Sequence, residues 1–297
     1  MKIIKEIFTY AGEERSAVTI GKFDGVHLGH TRLIERTCAR AHEAGAKAVV
    51  VTFDMAPALI LSKKERRKLF EEMGVDVLVE CGFTPKLIAM SAEHFVKDIL
   101  LRRLNMIHIA AGEDFRFGYG REGDASMLKA FGEKLGFSVD IVPEVDEDGE
   151  KISSTRIREA LAVGDMEKVR RMLGFTYYLR GSVIHGRQIG RTIGIPTANL
   201  IPDKSKLLPP NGVYFSTAEI AGKTYGGITN IGTKPTVDGH FVGAETFFFD
   251  FEQDIYDEVL EVRLLHYSRP ERKFSGIEEL SAQIHEDEKN GREYFSR

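Results

Sequence analysis

The chain reads as a Rossmann-like α/β domain followed by an all-β barrel with a C-terminal helix, and three observations lead there. Between residues 16 and 142 short β-branched runs alternate with amphipathic stretches, the rhythm of βαβ units building a parallel sheet covered on both faces. Farther on the composition changes: six of the nine prolines fall between Pro196 and Pro270, among short alternating apolar runs. Phosphate-type motifs occur once in each half, about 160 residues apart, too far to serve one small fold.

In the first half the spacing predicts strands at 17–20, 48–53, 75–79, 106–110 and 137–142, alternating with helices at 28–44, 62–73, 92–104 and 125–135. Ser62 and Glu65 form a Ser-x-x-Glu capping box, which places the start of the second helix without invoking function. Residues 140–150 carry six acids around Asp148-Gly149 and read as a solvated turn. Two further helical stretches, 155–162 and 165–173, precede a boundary in 174–179, dividing the chain into residues 1–175 and 176–297. The second half has strands such as 213–220 and 260–266. It closes with a polar helix over 277–294, whose narrow apolar face of Ile277, Leu280 and Ile284 is expected to dock on the outside of the barrel.

Bulk properties exclude several classes. At 297 residues and 42% hydrophobic content the chain can bury two cores. Its net charge of -4 provides no global field for DNA or RNA, although a local patch could still bind phosphate. Cys38 and Cys81 lie in apolar stretches without metal-ligand spacing and read as buried thiols. No signal-peptide core and no run of membrane-spanning length occurs, so a cytoplasmic location with no membrane partner is expected.

The first phosphate motif runs from Gly21 through Phe23, Gly25 and His27 to Gly29 and His30, from a strand through a glycine-containing loop into a helix. Amides at the helix start can face phosphate, the two imidazoles can donate to phosphoryl oxygens, and Gly29 leaves room for a nucleotide. At another predicted helix start Ser153, Ser154, Thr155 and Arg156 bring hydroxyls, amides and a guanidinium together, a set suited to pyrophosphate. Between the two motifs a loop holds Asp114, Phe115, Phe117 and Tyr119, and its aromatic rings could cradle a flat substrate. In the second half Gly186, Gly190 and Arg191 precede Thr197 and Asn199: glycines that expose backbone, a cation, and oxygens suited to a hard metal ion.

The loop 21–30 with residues 112–118 and 152–158 resembles the FMN adenylyltransferase module of bacterial bifunctional riboflavin kinase/FAD synthetases. Residues 181–199, with Pro196-Thr197-Ala198-Asn199, resemble the flavokinase phosphate loop, and 230–236 and 269–274 match the same pattern. The resemblance implies a nucleotidyltransferase domain and a flavokinase barrel, with phosphorylation of riboflavin to FMN and adenylylation of FMN to FAD. It implies ATP and Mg in both steps; a monomer or weak homo-oligomer is expected. By resemblance His27, His30, Ser154 and Arg156 serve the adenylyl transfer, and Glu245, at the head of an apolar strand, is the kinase base, its carboxyl raised by desolvation. Thr197 and Asn199 are the metal ligands, and Asp114, Phe115, Phe117, Arg269 and Glu271 face flavin. Three departures stand out: Ala56 replaces a histidine of a Pro-His-Pro-like element, Phe247 stands where histidine is frequent, and Asp257 ends a turn that usually has glycine. The remaining histidines, among them His108 and His266, read as surface or packing residues. The competing readings are a flavin- or nucleotide-binding regulatory protein, or an enzyme retaining one activity.

Overall fold

Six parallel strands form the first sheet: β1 (Lys2–Ile4), β2 (Ser16–Gly21), β3 (Lys47–Phe53), β4 (Val77–Cys81), β5 (Met106–Gly112) and β6 (Ser138–Val142). The structure is a computed structural model and describes residues 1–53, 58–185, 195–236 and 239–296. The chain divides into two compact units, Met1–Ser154 and Thr155–Arg297.

In the first unit the strand order is β1-β4-β3-β2-β5-β6. The chain builds outward from β2 on one side and then returns to build on the other, so the order reverses between β2 and β5. Open α/β sheets bind ligands in the crevice at the carboxyl ends of such strands. Residues of β2 and β4 are buried almost throughout, because helices cover both faces. Helix α1 (Leu28–Glu43) lies on β2, β3 and β5. Its close approach rests on small side chains, Ala41 against Ala17 and Ala48, all at 3% exposure or less.

Helix α2 (Lys63–Glu72) starts as the sequence predicts: Ser62 Oγ accepts from the Glu65 amide at 3.3 Å, and Glu65 accepts from the Ser62 amide at 2.8 Å. Helices α3 (Pro85–Ile88) and α4 (Ala92–His94) follow β4. The expected α-helix over 92–104 is only partly α: from Phe95 to Arg103 it winds as a π-helix. The wider turn aligns Phe95, Val96, Ile99 and Leu100, all buried in the core, which an α-helical repeat would spread over a broader arc. Helix α5 (Ala125–Leu135) is capped by Asp124, which accepts from the Met127 amide at 2.9 Å.

The acidic run divides in two. Asp140 sits in β6 and takes the guanidinium groups of Arg36 and Arg40 at 2.5 and 2.8 Å, so it is a structural ion-pair residue. The rest forms a hairpin of β7 (Asp146–Glu147) and β8 (Glu150–Lys151), joined by Asp148 and Gly149 with φ of 56° and 74°. Two positive φ values define the tight turn that Asp-Gly favours. Both cysteines are free, and burial pushes each thiol up to about 11.

The second unit contains α6 (Ser154–Val163), α7 (Met166–Leu173) and a closed antiparallel barrel. The barrel strands are β9 (Tyr178–Ile184), β10 (Ala198–Leu200), β11 (Gly212–Ile220), β12 (Lys223–Thr236), β13 (Gly239–Phe248) and β14 (Val259–Pro270), arranged β10-β13-β12-β11-β14-β9. Inside, fully buried Ser216, Thr229 and Thr246 link hydroxyl to hydroxyl at 2.7 and 2.8 Å, so that each buried hydroxyl has a partner.

Helix α8 (Ile277–Phe295) packs Ile284 and Tyr294 onto Val213, Phe215, Ile228 and Phe249. Ile277, expected on that apolar face, is 57% exposed, since contact with the barrel is made by the later turns of the helix. The helix is fastened by an ion pair: Asp287, 2% exposed, accepts from Arg269 at 2.8 and 2.6 Å and from Gln283 Nε2 at 2.9 Å.

Replacing Arg269 with Met strands a buried carboxylate, which costs about 3–5 kcal/mol. Thermal unfolding of the barrel unit is expected to shift down by about 10 °C or more, and the double variant Arg269→Met/Asp287→Leu to recover most of it. Differential scanning calorimetry of the three proteins measures this.

Candidate active sites

The first site begins where β2 ends, at the point where strand order reverses. The loop from Lys22 to Val26 enters α1 through backbone that most residues avoid: φ is 47° at Phe23, 84° at Gly25 and 45° at Val26. Positive φ is costly for a β-branched residue such as Val26, so the loop needs external restraint. Four ties supply it. Asp24 Oδ1 accepts from the Ile60 amide at 2.9 Å, and Ser154 Oγ donates to the Asp24 carbonyl at 2.8 Å. Thr52 Oγ1 and Arg66 both donate to the Lys22 carbonyl, at 2.9 and 3.2 Å.

Held this way, the loop stacks His27 on His30 with ring centroids 3.7 Å apart. Phe23, fully buried, props His30 edge-on at 5.1 Å, so its contribution to a nucleotide site is through backbone and not through its ring. Gly29 is required by the same stack: a Cβ there would lie 3.3 Å from the His27 ring, so the glycine makes room first for the imidazole. At Gly21 a Cβ would meet the Phe23 ring at 3.2 Å.

His27 is lowered to about 4, chiefly by desolvation and in part by the nearby Lys151 ammonium, with Asp114 opposing. His30 is lowered too, by burial and then by His27 and Arg66. Both rings are therefore neutral near pH 7, each with one N–H to donate. The buried Nδ1 atoms of both have no hydrogen-bond partner among the described residues. A buried polar atom left unpaired costs free energy, so this pair is built to meet a polar ligand. The first turn of α1 has no side-chain cap, and its amides and dipole add to the same anion-directed surface.

Lys151, which motif reading passed over, reaches the site from the β7–β8 hairpin. It pairs with Asp114 at 2.6 Å and with Glu144, and its charge faces His27. Its one signal in the sequence was its position two residues before Ser153, behind an Asp-Gly turn. The proposed flavin aromatics behave differently from one another. Phe117 is 6% exposed and stacks on half-buried Phe115 at 5.4 Å, so it belongs to the core. Ser153 is half-buried; Thr155 is exposed and half-buried Arg156 follows it in α6. Ala56 lies outside the described residues, as do Gly186, Gly190 and Arg191.

In the barrel, β-sheet register builds a second constellation. Asn199 on β10 pairs across from Glu245 on β13, which in turn pairs across from Asn230 on β12. Directly paired residues share a face, so the three form one polar row. Their neighbours Ala198, Ala244, Thr246 and Thr229 are buried on the other face, and Glu245 itself is half-buried. Asn199 Nδ2 donates to the Thr197 carbonyl at 3.3 Å, which leaves its Oδ1 as the atom available to a cation. Neutral oxygen donors of this kind suit a hard divalent ion that takes its remaining ligands from phosphate and water. A cavity of about 240 Å³ adjoins the row, lined by Pro196, Thr197, Asn199, Phe248, Phe251 and Tyr256 among others.

The departures also find explanations. Asp257 has φ of 63°, a conformation for which glycine is the undemanding choice. Phe247 packs against the apolar cluster under α8, where a histidine would bring polarity. Arg269 is occupied by Asp287, as described. Glu271 accepts from Asn211 Nδ2 at 3.1 Å and its carboxylate fills the space where Gly232 would carry a Cβ. Both residues thus have structural partners independent of flavin.

A parallel sheet with an anion-directed imidazole pair at its switch point, followed by a barrel with a carboxylate between two amides, defines a two-unit nucleotide-dependent transferase. Residues 10–156 match the FAD synthetase family model and residues 173–295 the riboflavin kinase model. The bifunctional riboflavin kinase/FMN adenylyltransferase of Escherichia coli K12 is 36% identical, over 99% of this chain and 98% of its own length. That of Bacillus subtilis is 37% identical, over 96% and 94%. A solved Streptococcus pneumoniae chain described as a macrolide-efflux protein superposes with a TM-score of 0.86 at 32% identity, over 98% of this chain and 99% of its own. The chain belongs to the bifunctional riboflavin kinase/FMN adenylyltransferase family. Among the described residues no helix is long and apolar enough to cross a membrane.

The buried imidazole carries a pH signature. Because the folded-state value of His27 lies below the ordinary 6.5, the unfolded chain takes up the proton first as pH falls. The stability of the neutral form is complete above pH 6.5 and is lost as pH drops toward about 4. Within that window each pH unit costs about 1.4 kcal/mol for one proton. Urea unfolding at stepped pH is expected to show a shallower acid slope for His27→Asn than for the parent chain.

Proposed function

We propose that the two activities are carried by two separate constellations, with residues 1–175 making FAD and residues 176–297 making FMN. Membership of the family gives the chain riboflavin kinase and FMN adenylyltransferase activity, with ATP, riboflavin and FMN as substrates. In the kinase step Glu245 accepts the proton of riboflavin's terminal ribityl hydroxyl as that oxygen bonds to the γ-phosphorus of ATP, and ADP leaves. Thr197 and Asn199 would hold a magnesium ion, which offsets phosphate charge when bound. Gly186, Gly190 and Arg191 are assigned to the ATP phosphates by their motif.

In the adenylyl step an FMN phosphate oxygen attacks the α-phosphorus of ATP, and pyrophosphate leaves. That nucleophile is already anionic, so no base is needed and positioning with charge stabilisation suffices. His27 and His30 donate N–H groups to the phosphate oxygens, while Lys151 and the amides opening α1 bear on the polyphosphate; Arg156 is assigned to the adenylyl step by its motif. Ser154 keeps the loop in place through Asp24. Asp114 orients Lys151. The observation that carries this reading is the pair of buried imidazole nitrogens without a hydrogen-bond partner at an uncapped helix start, since a buried polar atom left unpaired costs free energy. We place the enzyme in the cytoplasm, where ATP is supplied, as a monomer or weak homo-oligomer.

Chromatography of flavins tests the division. Glu245→Gln is expected to lower FMN formation from riboflavin at least about a hundredfold while FAD formation from supplied FMN persists. His27→Asn is expected to do the reverse, lowering FAD formation about a hundredfold with FMN formation intact. Loss of both activities in either variant would sink the two-site reading.

A further inference from the structure

Two carboxylates hold Lys151 at once: Asp114 at 2.6 Å, from the loop after β5, and Glu144, from the same hairpin as the lysine. Hairpin register explains the second contact. Asp146 pairs across from Lys151, and the Ile152 amide donates to the Val145 carbonyl at 2.8 Å. Side chains alternate along each arm, so Glu144 and Asp146 share a face with Lys151. Val145 and Ile152 occupy the other face and anchor the hairpin, both buried. Glu144 is therefore the diagonal neighbour of Lys151, a separation that long side chains span.

The two carboxylates differ in setting. The charges of Lys151 and Asp114 both bear on the His27 ring, the first lowering and the second raising its proton affinity, which places them beside the anion-directed imidazoles. Glu144 takes the same ammonium from the hairpin side. The side chains of Lys151 and Glu144 are 39% and 34% exposed. An ion pair so open to water shifts an equilibrium by no more than about fivefold. A polyphosphate carries several negative charges and offers charge-assisted hydrogen bonds to an ammonium, so it can draw Lys151 away from a single carboxylate.

We infer that Glu144 is an internal competitor for Lys151 in adenylyl transfer: it holds the ammonium while the site is empty, yields it to the polyphosphate of ATP, and recovers it as pyrophosphate departs. This role presupposes the adenylyltransferase reading of the first unit. Competition of this kind weakens the binding of ATP and of pyrophosphate together, and it gives the departing product a replacement on the cation it leaves.

The test uses the full chain with FMN, ATP and magnesium. Glu144→Gln is expected to lower KM for ATP in FAD formation about two- to fivefold, and to lower the inhibition constant of added pyrophosphate by a similar factor. KM for ATP in the riboflavin kinase step of the same protein should stay at the parent value, which reports an intact chain. Asp146→Asn removes an equal charge from the same face while leaving both carboxylate bonds to Lys151 in place, and should change neither constant. In a Lys151→Gln background, Glu144→Gln should no longer alter KM for ATP. An unchanged KM for ATP in Glu144→Gln would overturn the inference, and so would a raised one, which would make Glu144 a support of Lys151 in its working position. Equal falls in Glu144→Gln and Asp146→Asn would overturn it as well, since they would report the overall charge of the hairpin, as would a fall that persists without Lys151. A parent chain that formed no FAD from FMN would sink the adenylyltransferase reading itself, a result distinct from an active parent with an indifferent Glu144 variant.

Discussion

The hydrogen bonds of Asp24 are the constraint on which the first site depends. Without a carboxylate accepting from Ile60 and a carbonyl accepting from Ser154, two of the four ties that hold Phe23 and Val26 at positive φ against their steric preference would be lost. If that loop relaxed, α1 would begin from a different direction and the two imidazoles would separate. Their stacking at 3.7 Å is tolerable because both are neutral, and they are neutral because the loop buries them. Backbone strain, protonation state and anion-directed geometry therefore form one causal sequence, anchored by Asp24 together with Thr52 and Arg66.

The barrel solves its problem by strand alternation. One face of β13 turns Ala244, Thr246 and Phe248 inward, where the threonine joins a closed hydroxyl chain, and the other turns Glu245 and Phe247 outward. A one-residue slip in the register of β13 would exchange the two sets and bury the carboxylate. The inner hydroxyl chain opposes such a slip, since it would break the buried hydrogen bond between Thr229 and Thr246. The interior polar residues thus keep Glu245 in line with Asn199 and Asn230 without touching them.

Much of this was legible beforehand. The βαβ rhythm, the barrel, the capping box at Ser62 and the Asp-Gly hairpin all follow from patterns that act over a few residues. The π-helical turn at Phe95 was not legible, because its apolar spacing also fits a broad α-helical face and only the surrounding core decides. Motif reading identified His27 and His30 but assigned Gly29 to the nucleotide, whereas its nearest neighbour is the His27 ring. It placed Phe117, Arg269 and Glu271 against flavin but gave no sign that Phe117 packs in the core or that Arg269 and Glu271 take Asp287 and Asn211 as partners. Those partners lie 18 and 60 residues away in the chain, beyond the reach of local pattern.

On the proposed reading, the nucleophile of each step dictates its surroundings. A phosphate monoester arrives already charged, so a site that must bring it against a triphosphate needs hydrogen-bond donors and cations and would be hindered by a carboxylate base. Neutral imidazoles, uncapped amides and Lys151 are such a set, and Lys151 pairs with both nearby acids, Asp114 and Glu144, offsetting one of their two charges. An alcohol arrives uncharged and gains from a proton acceptor, so a carboxylate is an asset there, provided that neighbouring groups do not add negative charge. Asn199 and Asn230, amides flanking Glu245 on both sides, meet that condition. Were the acid and the imidazole pair to share one pocket, each would shift the other: the carboxylate would favour charged imidazole, and the imidazolium would hold the carboxylate's proton affinity too low for base work. Within the first unit the protonation of the imidazoles is set by their own burial.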